Sequence, residues 1–220
     1  QNHETIWIQP WGKDSLRVRA TLGPAVLDLP GALLPPASES PLIEVGEAQA
    51  TIRNGKILAR ISATGQIRFF RADTGEPILE EPEPVFHRPP ARLYRALDGD
   101  LFHIEARFKP IPGERIYGLG QHHNGLLNQK GCTIDLVHRN TDVCIPFALS
   151  SQGYGFLWHN PAIGRVELGQ NGTRWVAEGA RQIDYWITVG SSYAEVMTHY
   201  ADATGRPSAF PEWAAGFWQC

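Results

Sequence analysis

Residues 48–61 read Ala-Gln-Ala-Thr-Ile-Arg-Asn-Gly-Lys-Ile-Leu-Ala-Arg-Ile, two short runs that meet at Asn54-Gly55. A type I′ turn needs positive φ at both central residues, and Asn-Gly supplies this with little steric penalty, so the stretch predicts a β-hairpin. The same grammar repeats on either side. Downstream, Thr64-Gly65 leads into a strand at 66–71, and Asp98-Gly99 separates strands at 91–97 and 101–108. Between them, residues 80–90 hold Pro82, Pro84, Pro89 and Pro90, which have no N–H to donate, and are excluded from any central strand. Upstream, residues 5–8 and 16–21 alternate apolar and polar side chains as half-buried strands do. Residues 30–41, rich in Pro, Ala and Ser, read as a surface connection.

The second half continues the pattern with more aromatic content, at 132–137, 143–150, 155–158, 164–168, 174–177 and 182–189. Strand signals recurring about every ten residues, with turns between them, predict a sandwich of two large antiparallel sheets. Seventeen prolines and twenty-two glycines suit many short strands and tight turns. Trp158, Trp175 and Trp186 are expected inside, because large aromatics fill sandwich cores. One helix interrupts the strands. Ser192-Tyr-Ala-Glu195 has the form of a capping box, and Tyr193, Val196, Met197, Tyr200 and Ala201 follow at helical spacing as one apolar stripe. Gly205 supplies a left-handed cap and Pro207 blocks continuation. The stripe predicts a linker helix laid on a sheet.

After the helix, the run from Trp213 to Cys220 is apolar almost throughout and does not alternate. A strand apolar on both faces belongs inside a parallel α/β sheet. The expected organisation is therefore a mainly β domain at 1–190, a linker helix and turn at 191–208, and, at 209–220, the first strand of a second domain whose remainder is missing.

A net charge of −3 gives no reason to expect nucleic acid or an anionic membrane as a partner. No apolar run approaches the roughly 20 residues that span a bilayer. Cys132, Cys144 and Cys220 are odd in number and widely spaced, signalling neither a disulfide scaffold nor a zinc site, and read as small buried apolar residues. Adjacent histidines in a strand point to opposite faces, so His122-His123-Asn124 reads as a loop without a metal. Asn171-Gly172-Thr173 is a glycosylation sequon only if the protein is secreted, and the compartment stays open.

Five motifs now fall in one order: Ile116-Tyr-Gly-Leu-Gly-Gln121, Ile145-Pro-Phe147, Gly153-Tyr-Gly-Phe-Leu-Trp158, Thr204-Gly-Arg-Pro207 and Pro211-Glu-Trp-Ala-Ala-Gly-Phe217. Together they resemble the N-terminal region of glycoside hydrolase family 31, the retaining α-glycosidases that include α-glucosidases and α-xylosidases. The middle segment is most similar to the α-xylosidase side. The resemblance implies a galactose-mutarotase-like β-sandwich followed by a (β/α)8 barrel, of which 209–220 would be the first strand. It also implies an oligosaccharide or α-glycoside substrate, contact with the chain's own C-terminal barrel, and no cofactor or metal. Self-association into a homo-oligomer is left open. Barrel enzymes carry their chemistry at the C-terminal ends of the strands. No W-x-D-x-x-E pattern, the form of the family's nucleophile, occurs here, so no catalytic residue is assigned and the 220-residue chain alone is expected to be inactive.

Family enzymes carry an Arg-Asp pair on a sandwich loop that reaches the active site, at the place where this sequence has Arg139-Asn140, just before Thr141-Asp142. The resemblance thus marks Asn140 and Asp142 as substrate-facing, with Arg139 orienting them. Asparagine in place of aspartate implies either that the contact has moved to Asp142 or that a different sugar is preferred. Trp218 is the aromatic best placed to line a sugar pocket. The plainer reading of residues 139–142 is an ordinary polar turn between strands. Tyr117-Gly-Leu-Gly120 lacks the rest of a nucleotide-binding glycine motif, and its glycines predict a tight backbone bend near this loop. Two other classes stand beside the glycosidase. A non-catalytic carbohydrate-binding sandwich would need an exposed aromatic platform. A free-standing mutarotase would use histidine with a glutamate base, and His103, Glu105, His138, His159 and Glu167 supply those types.

Overall fold

The computed structural model describes residues 3–36 and 39–218. One sheet has six strands in the order β1 (Thr5–Pro10), β2 (Ser15–Thr21), β16 (Ile183–Val189), β13 (Tyr154–Trp158), β12 (Val143–Ser150) and β10 (Ile116–Gln121). A second has five, β3 (Leu42–Val45), β4 (Gln49–Asn54), β5 (Ile57–Ser62), β6 (Ile67–Arg71) and β7 (Pro77–Glu80). The third also has five, in the order β11 (Thr133–Leu136), β14 (Gly164–Gly169), β15 (Gly172–Ala180), β9 (Phe102–Phe108) and β8 (Arg92–Ala96). The pairings are antiparallel, as the hairpin signals predict. Strands β3, β7 and β10 carry too little alternation to be read from sequence. No helix is long and apolar enough to cross a membrane among the described residues.

One hydrophobic cluster joins the three sheets, and a second, of Trp11, Phe147, Leu157, Trp186 and Val196, lies on the other face of the six-stranded sheet. The centre of the first is aromatic. Phe156 of β13 stacks on Trp175 at 4.8 Å and on Tyr185 at 5.0 Å, and Phe69 and Phe108 meet Tyr185 edge-on from the two five-stranded sheets. Offset stacks and edge contacts are the geometries the ring quadrupole favours. Trp158, Trp175 and Trp186 are buried as expected. Cys132 and Cys144 are free and only half-buried, packed at the margin rather than within the core, and Cys220 lies outside the described residues.

The expected two-sheet sandwich differs in one respect: the layer facing the six-stranded sheet is divided. The prolines of residues 82–90 remove the donors that would continue a ladder from β7 to β8. Charged side chains bridge the gap instead. Glu81, 1 % exposed, accepts from Ile67 N at 2.8 Å and pairs with Arg92, which also donates to Glu4 at 2.9 Å and to the Gly65 carbonyl at 2.9 Å.

The hairpin at 48–61 forms, but its turn is centred one residue late, on Gly55-Lys56, with Asn54 paired to Ile57. Positive φ is needed only at Gly55, 57°. The cause is tertiary. The buried Asn54 amide donates to the Gly12 and Ser15 carbonyls, both at 2.8 Å, and Lys56 N donates to Asp14 Oδ1 at 2.7 Å. Helix α1 (Tyr193–Thr204) is capped as its sequence dictates: Ser192 Oγ accepts from Glu195 N at 3.2 Å, Glu195 Oε2 accepts from Ser191 N at 2.7 Å, and Gly205 has φ 99°. Its packed face is rotated from the expected stripe. Val196 and His199 are buried and Tyr200 stacks on Phe147 at 4.1 Å, while Tyr193 and Met197 turn outward.

The strand expected from Trp213 does not form. Glu212–Ala215 make one 3-10 turn, and Trp213, Phe217 and Trp218 are exposed; Gln219 and Cys220 lie outside the described residues. A strand needs a neighbour to take its backbone hydrogen bonds, and this segment has none among the described residues, so it satisfies them locally.

Candidate functional site

Strands β10 and β12 pair at the edge of the six-stranded sheet, and their register shifts between Gly118 and Gly120. Gly118, Leu119 and Gly120 have φ 92°, 69° and 99°, the backbone bend that the glycine spacing predicts. Glycine is obligatory at the last of these. A Cβ on Gly120 would stand 1.9 Å from the Val143 carbonyl. The bulge therefore lets β10 run flush against the start of β12, directly after Asp142.

Residues 137–142 cross from β11 in one sheet to β12 in another. Asp142 N donates to the Arg139 carbonyl at 3.2 Å, closing a four-residue turn with Asn140 and Thr141 at its tip. Thr141 has φ 74°, a conformation that a β-branched residue adopts only when its surroundings hold it there. His123 supplies the hold, its Nε2 lying 3.1 Å from the Thr141 carbonyl. His122 instead bonds the Leu119 carbonyl at 2.8 Å, so the two histidines do separate work on the bulge and on the turn.

Asn140 is exposed at the tip. Asp142 is half-buried, and its Oδ1 has no hydrogen-bond partner among the described residues; the His123 imidazole Nε2 lies 3.9 Å away. Arg139 does not orient either residue. It pairs with Asp135 at 2.5 Å, because the turn directs its side chain back along β11. Asp142, Arg139 and Asp135 line a cavity of about 180 Å³ with His122, Asn124 and Thr133. Trp218 is not among the lining residues; its indole N–H donates to the Ala214 carbonyl at 2.8 Å and the ring is 69 % exposed. Asp135 and His123 were not assigned to the site from sequence. The adjacent histidines were the available signal for His123, and nothing local marks Asp135.

Of the histidines and glutamates of the mutarotase reading, His103, Glu105 and Glu167 gather on the third sheet, while His138 and His159 lie elsewhere. Glu105 and Glu167 are bridged by Arg174 on the third sheet, with His103 beside Glu105 at 3.2 Å. Burial alone would raise the Glu105 carboxyl, but the His103 hydrogen bond and the guanidinium groups of Arg107 and Arg174 hold it below its ordinary value. Arg174 and Arg165 hold Glu167 down as well. A cavity of about 730 Å³ opens beside this charged face. His159 instead sits on the six-stranded sheet, its backbone N–H on the Asp184 carbonyl at 3.0 Å, and burial pushes its imidazole below the ordinary range. His138 lies in the turn before β12.

The chain is similar to known proteins along most of its length. Residues 8–167 match the family model described as the glycosyl hydrolase 31 N-terminal galactose mutarotase-like domain. An uncharacterized family 31 glucosidase of Pseudescherichia vulneris is 38% identical over 99% of this chain, which covers 44% of that protein. An α-xylosidase A of Aspergillus niger is 32% identical over 98% of this chain and 32% of its own length. Among solved structures, a GH31 α-xylosidase from a soil metagenome, complexed with xylose, superposes with a TM-score of 0.92 at 40% identity, covering 99% of this chain and 36% of that one. The chain thus spans less than half the length of each of these relatives.

Proposed function

Because the chain belongs to glycoside hydrolase family 31, we propose that it is the N-terminal sandwich of a retaining α-xylosidase, and that its 139–142 turn contributes to the sugar pocket. The observation that carries this reading is the match at 40% identity, over almost the whole chain, to an α-xylosidase solved with xylose. Retaining hydrolysis needs two carboxylates about 5 Å apart, one attacking the anomeric carbon and one protonating the leaving oxygen. In this reading both belong to a following (β/α)8 barrel, and the sandwich supplies binding and orientation.

Asp142 Oδ1 is a buried acceptor without a donor among the described residues, which a sugar would reach only if the turn shifts, and Asn140 beside it offers both a donor and an acceptor at the exposed turn tip. A sugar hydroxyl donating to the carboxylate would satisfy it. A hydrogen bond to a charged group contributes about 1.5–3 kcal/mol, or roughly 10- to 150-fold in kcat/KM if it is made in the transition state. Phe210, Trp213, Phe217 and Trp218, all exposed in this chain, are proposed to pack against the barrel. The same exposed aromatics would also suit a non-catalytic carbohydrate-binding module.

Hydrolysis of p-nitrophenyl α-xyloside and α-glucoside separates these readings. The complete enzyme should prefer the xyloside and the 220-residue chain should turn over neither; turnover by the short chain would overturn the proposal. In the complete enzyme, Asp142→Ala should lower kcat/KM by about 10- to 150-fold, and Asn140→Ala by a smaller factor. Asn140→Ala should leave stability within about 0.5 kcal/mol, as for a surface substitution. Equal losses of activity and stability would make the turn structural.

A further inference from the structure

We propose that Asp14, Glu195 and His199 form a site for a divalent transition-metal ion of the zinc type, which clamps helix α1 to the sandwich. The three side chains come from separate parts of the chain: the turn before β2, and the first and second turns of α1. One ligand atom from each lies within 4.8 Å of the others. Asp14 and His199 are 4 % and 5 % exposed. Buried ionisable groups normally find partners, yet Asp14 Oδ2 receives no hydrogen bond among the described residues. It faces His199 Nε2 at 3.8 Å, too far for a hydrogen bond.

The neighbouring bonds explain what the imidazole offers there. Ser15 Oγ donates to the Lys13 carbonyl at 2.6 Å, and Thr188 Oγ1 has the Asp14 carbonyl at 3.3 Å to donate to. Thr188 is then free to accept from His199 Nδ1 at 2.9 Å. With the Thr188 hydroxyl, which Ser15 Oγ also meets at 2.8 Å, as the acceptor, Nδ1 carries the proton and the Nε2 lone pair faces the Asp14 carboxylate, the tautomer that a metal ion would select. Two acceptors facing each other across 3.8 Å are stabilised by a cation between them. Metal bonds of about 2.0–2.2 Å at near-tetrahedral angles set ligand atoms about 3.3–3.6 Å apart, so Asp14 and His199 need to close by a few tenths of an ångström and Glu195 by up to about 1.5 Å.

Lys56 Nζ now neutralises Glu195 at 2.6 Å and also contacts Ser191 Oγ at 3.0 Å; on metal entry it would keep the second contact and give up the first. One imidazole with two carboxylates suits zinc-like ions better than Mg²⁺ or Ca²⁺, which prefer all-oxygen shells. His199 also lines a cavity of about 220 Å³ with Trp11, Leu34 and Asp202.

Titration of the metal-free 220-residue chain with Zn²⁺, against a chromogenic chelator, tests the site. Expected are one ion per chain, reversal by EDTA, a Tm that rises with Zn²⁺ concentration, and no comparable effect of Mg²⁺ or Ca²⁺. Co²⁺ should give d–d absorption bands in the wild type. His199→Gln and Asp14→Asn should abolish stoichiometric binding, and the milder Glu195→Gln should weaken it at least about tenfold. A double His122→Ala, His123→Ala change should leave it intact. The proposal falls if the folded wild type binds no Zn²⁺, if binding survives in Glu195→Gln and His199→Gln unchanged, or if it is lost only with the exposed histidines.

Discussion

Arg17 is 2 % exposed, yet its guanidinium remains charged, because Asp184 takes Nε and Nη2 in a forked pair at 2.9 and 2.7 Å and Trp11 lies under its plane at 4.3 Å. Burial alone would lower the Arg17 pKa, but Asp184 and Asp28 together carry it above its ordinary value. The two aspartates differ in what they contribute. Asp184 is as buried as Arg17, whereas the Asp28 side chain is 77% exposed. Removing a buried partner leaves an uncompensated charge, so Asp184→Ala should destabilise the chain by about 3–5 kcal/mol. Asp28→Ala should lose no more than about 1 kcal/mol. Urea unfolding of both variants checks this, and similar losses would mean that burial does not set the strength of the pair. Nothing in residues 16–21 announces the pairing, since alternation marks which residues share a face and not who meets them across it. The 139–142 turn is similar. Resemblance pointed to Asn140 and Asp142, but the left-handed Thr141, whose carbonyl meets His123 Nε2 at 3.1 Å, and the unpartnered Asp142 oxygen are visible only in the folded chain.

At the scale of the element, α1 shows which part of a helix its own sequence controls. The caps depend on neighbours three to five residues away and were legible; the packed face depends on Phe147, Thr188 and Trp186 and was not. Glu195 serves both levels, closing the N-terminus through Ser191 N and tying the helix to the hairpin through Lys56. The Lys56 and Ser191 hydrogen bonds hold its carboxyl at a pKa of about 2. A folded-state pKa below the unfolded value of about 4.3 adds stability that is fully present above that value and is lost as pH falls toward the folded one. In EDTA-containing buffer, Glu195→Gln should therefore be less stable than wild type at pH 7. The gap should close as the pH falls from about 4.3 to about 2. Denaturant midpoints across that range measure it, and a gap that stayed constant would show that the carboxylate's charge is not what the helix uses. The hairpin at 48–61 teaches the same lesson, since Asn-Gly marked the element correctly while the buried Asn54 amide moved the turn by one residue.

Across the whole molecule, the antiparallel sandwich was legible because turn residues and alternation recur along the chain, whereas the division of one layer depends on Glu81 and Arg92 meeting across the proline-rich gap. In the C-terminal segment of this chain a 3-10 turn at Glu212–Ala215 stands where the apolar run suggests a strand, for a physical reason. An apolar run states that a surface will be covered, but whether it becomes a strand depends on a neighbour. Here Trp213 and Phe217 are 81% and 92% exposed, which isolated surface residues tolerate but a cluster with Phe210 and Trp218 marks as a contact surface. If that surface packs on a following barrel, the same substitutions must have opposite consequences in the two contexts. Trp213→Ser with Phe217→Ser should change the unfolding free energy of the 220-residue chain by less than about 0.5 kcal/mol per site, since neither ring is buried there. In the complete enzyme each change would remove a buried aromatic, a loss of about 3–5 kcal/mol apiece, with a lower Tm and weaker xyloside hydrolysis. Paired denaturation curves of the short and complete proteins decide the matter: equal, small effects in both would show that the aromatic segment stays in solvent and that the sandwich and barrel meet elsewhere.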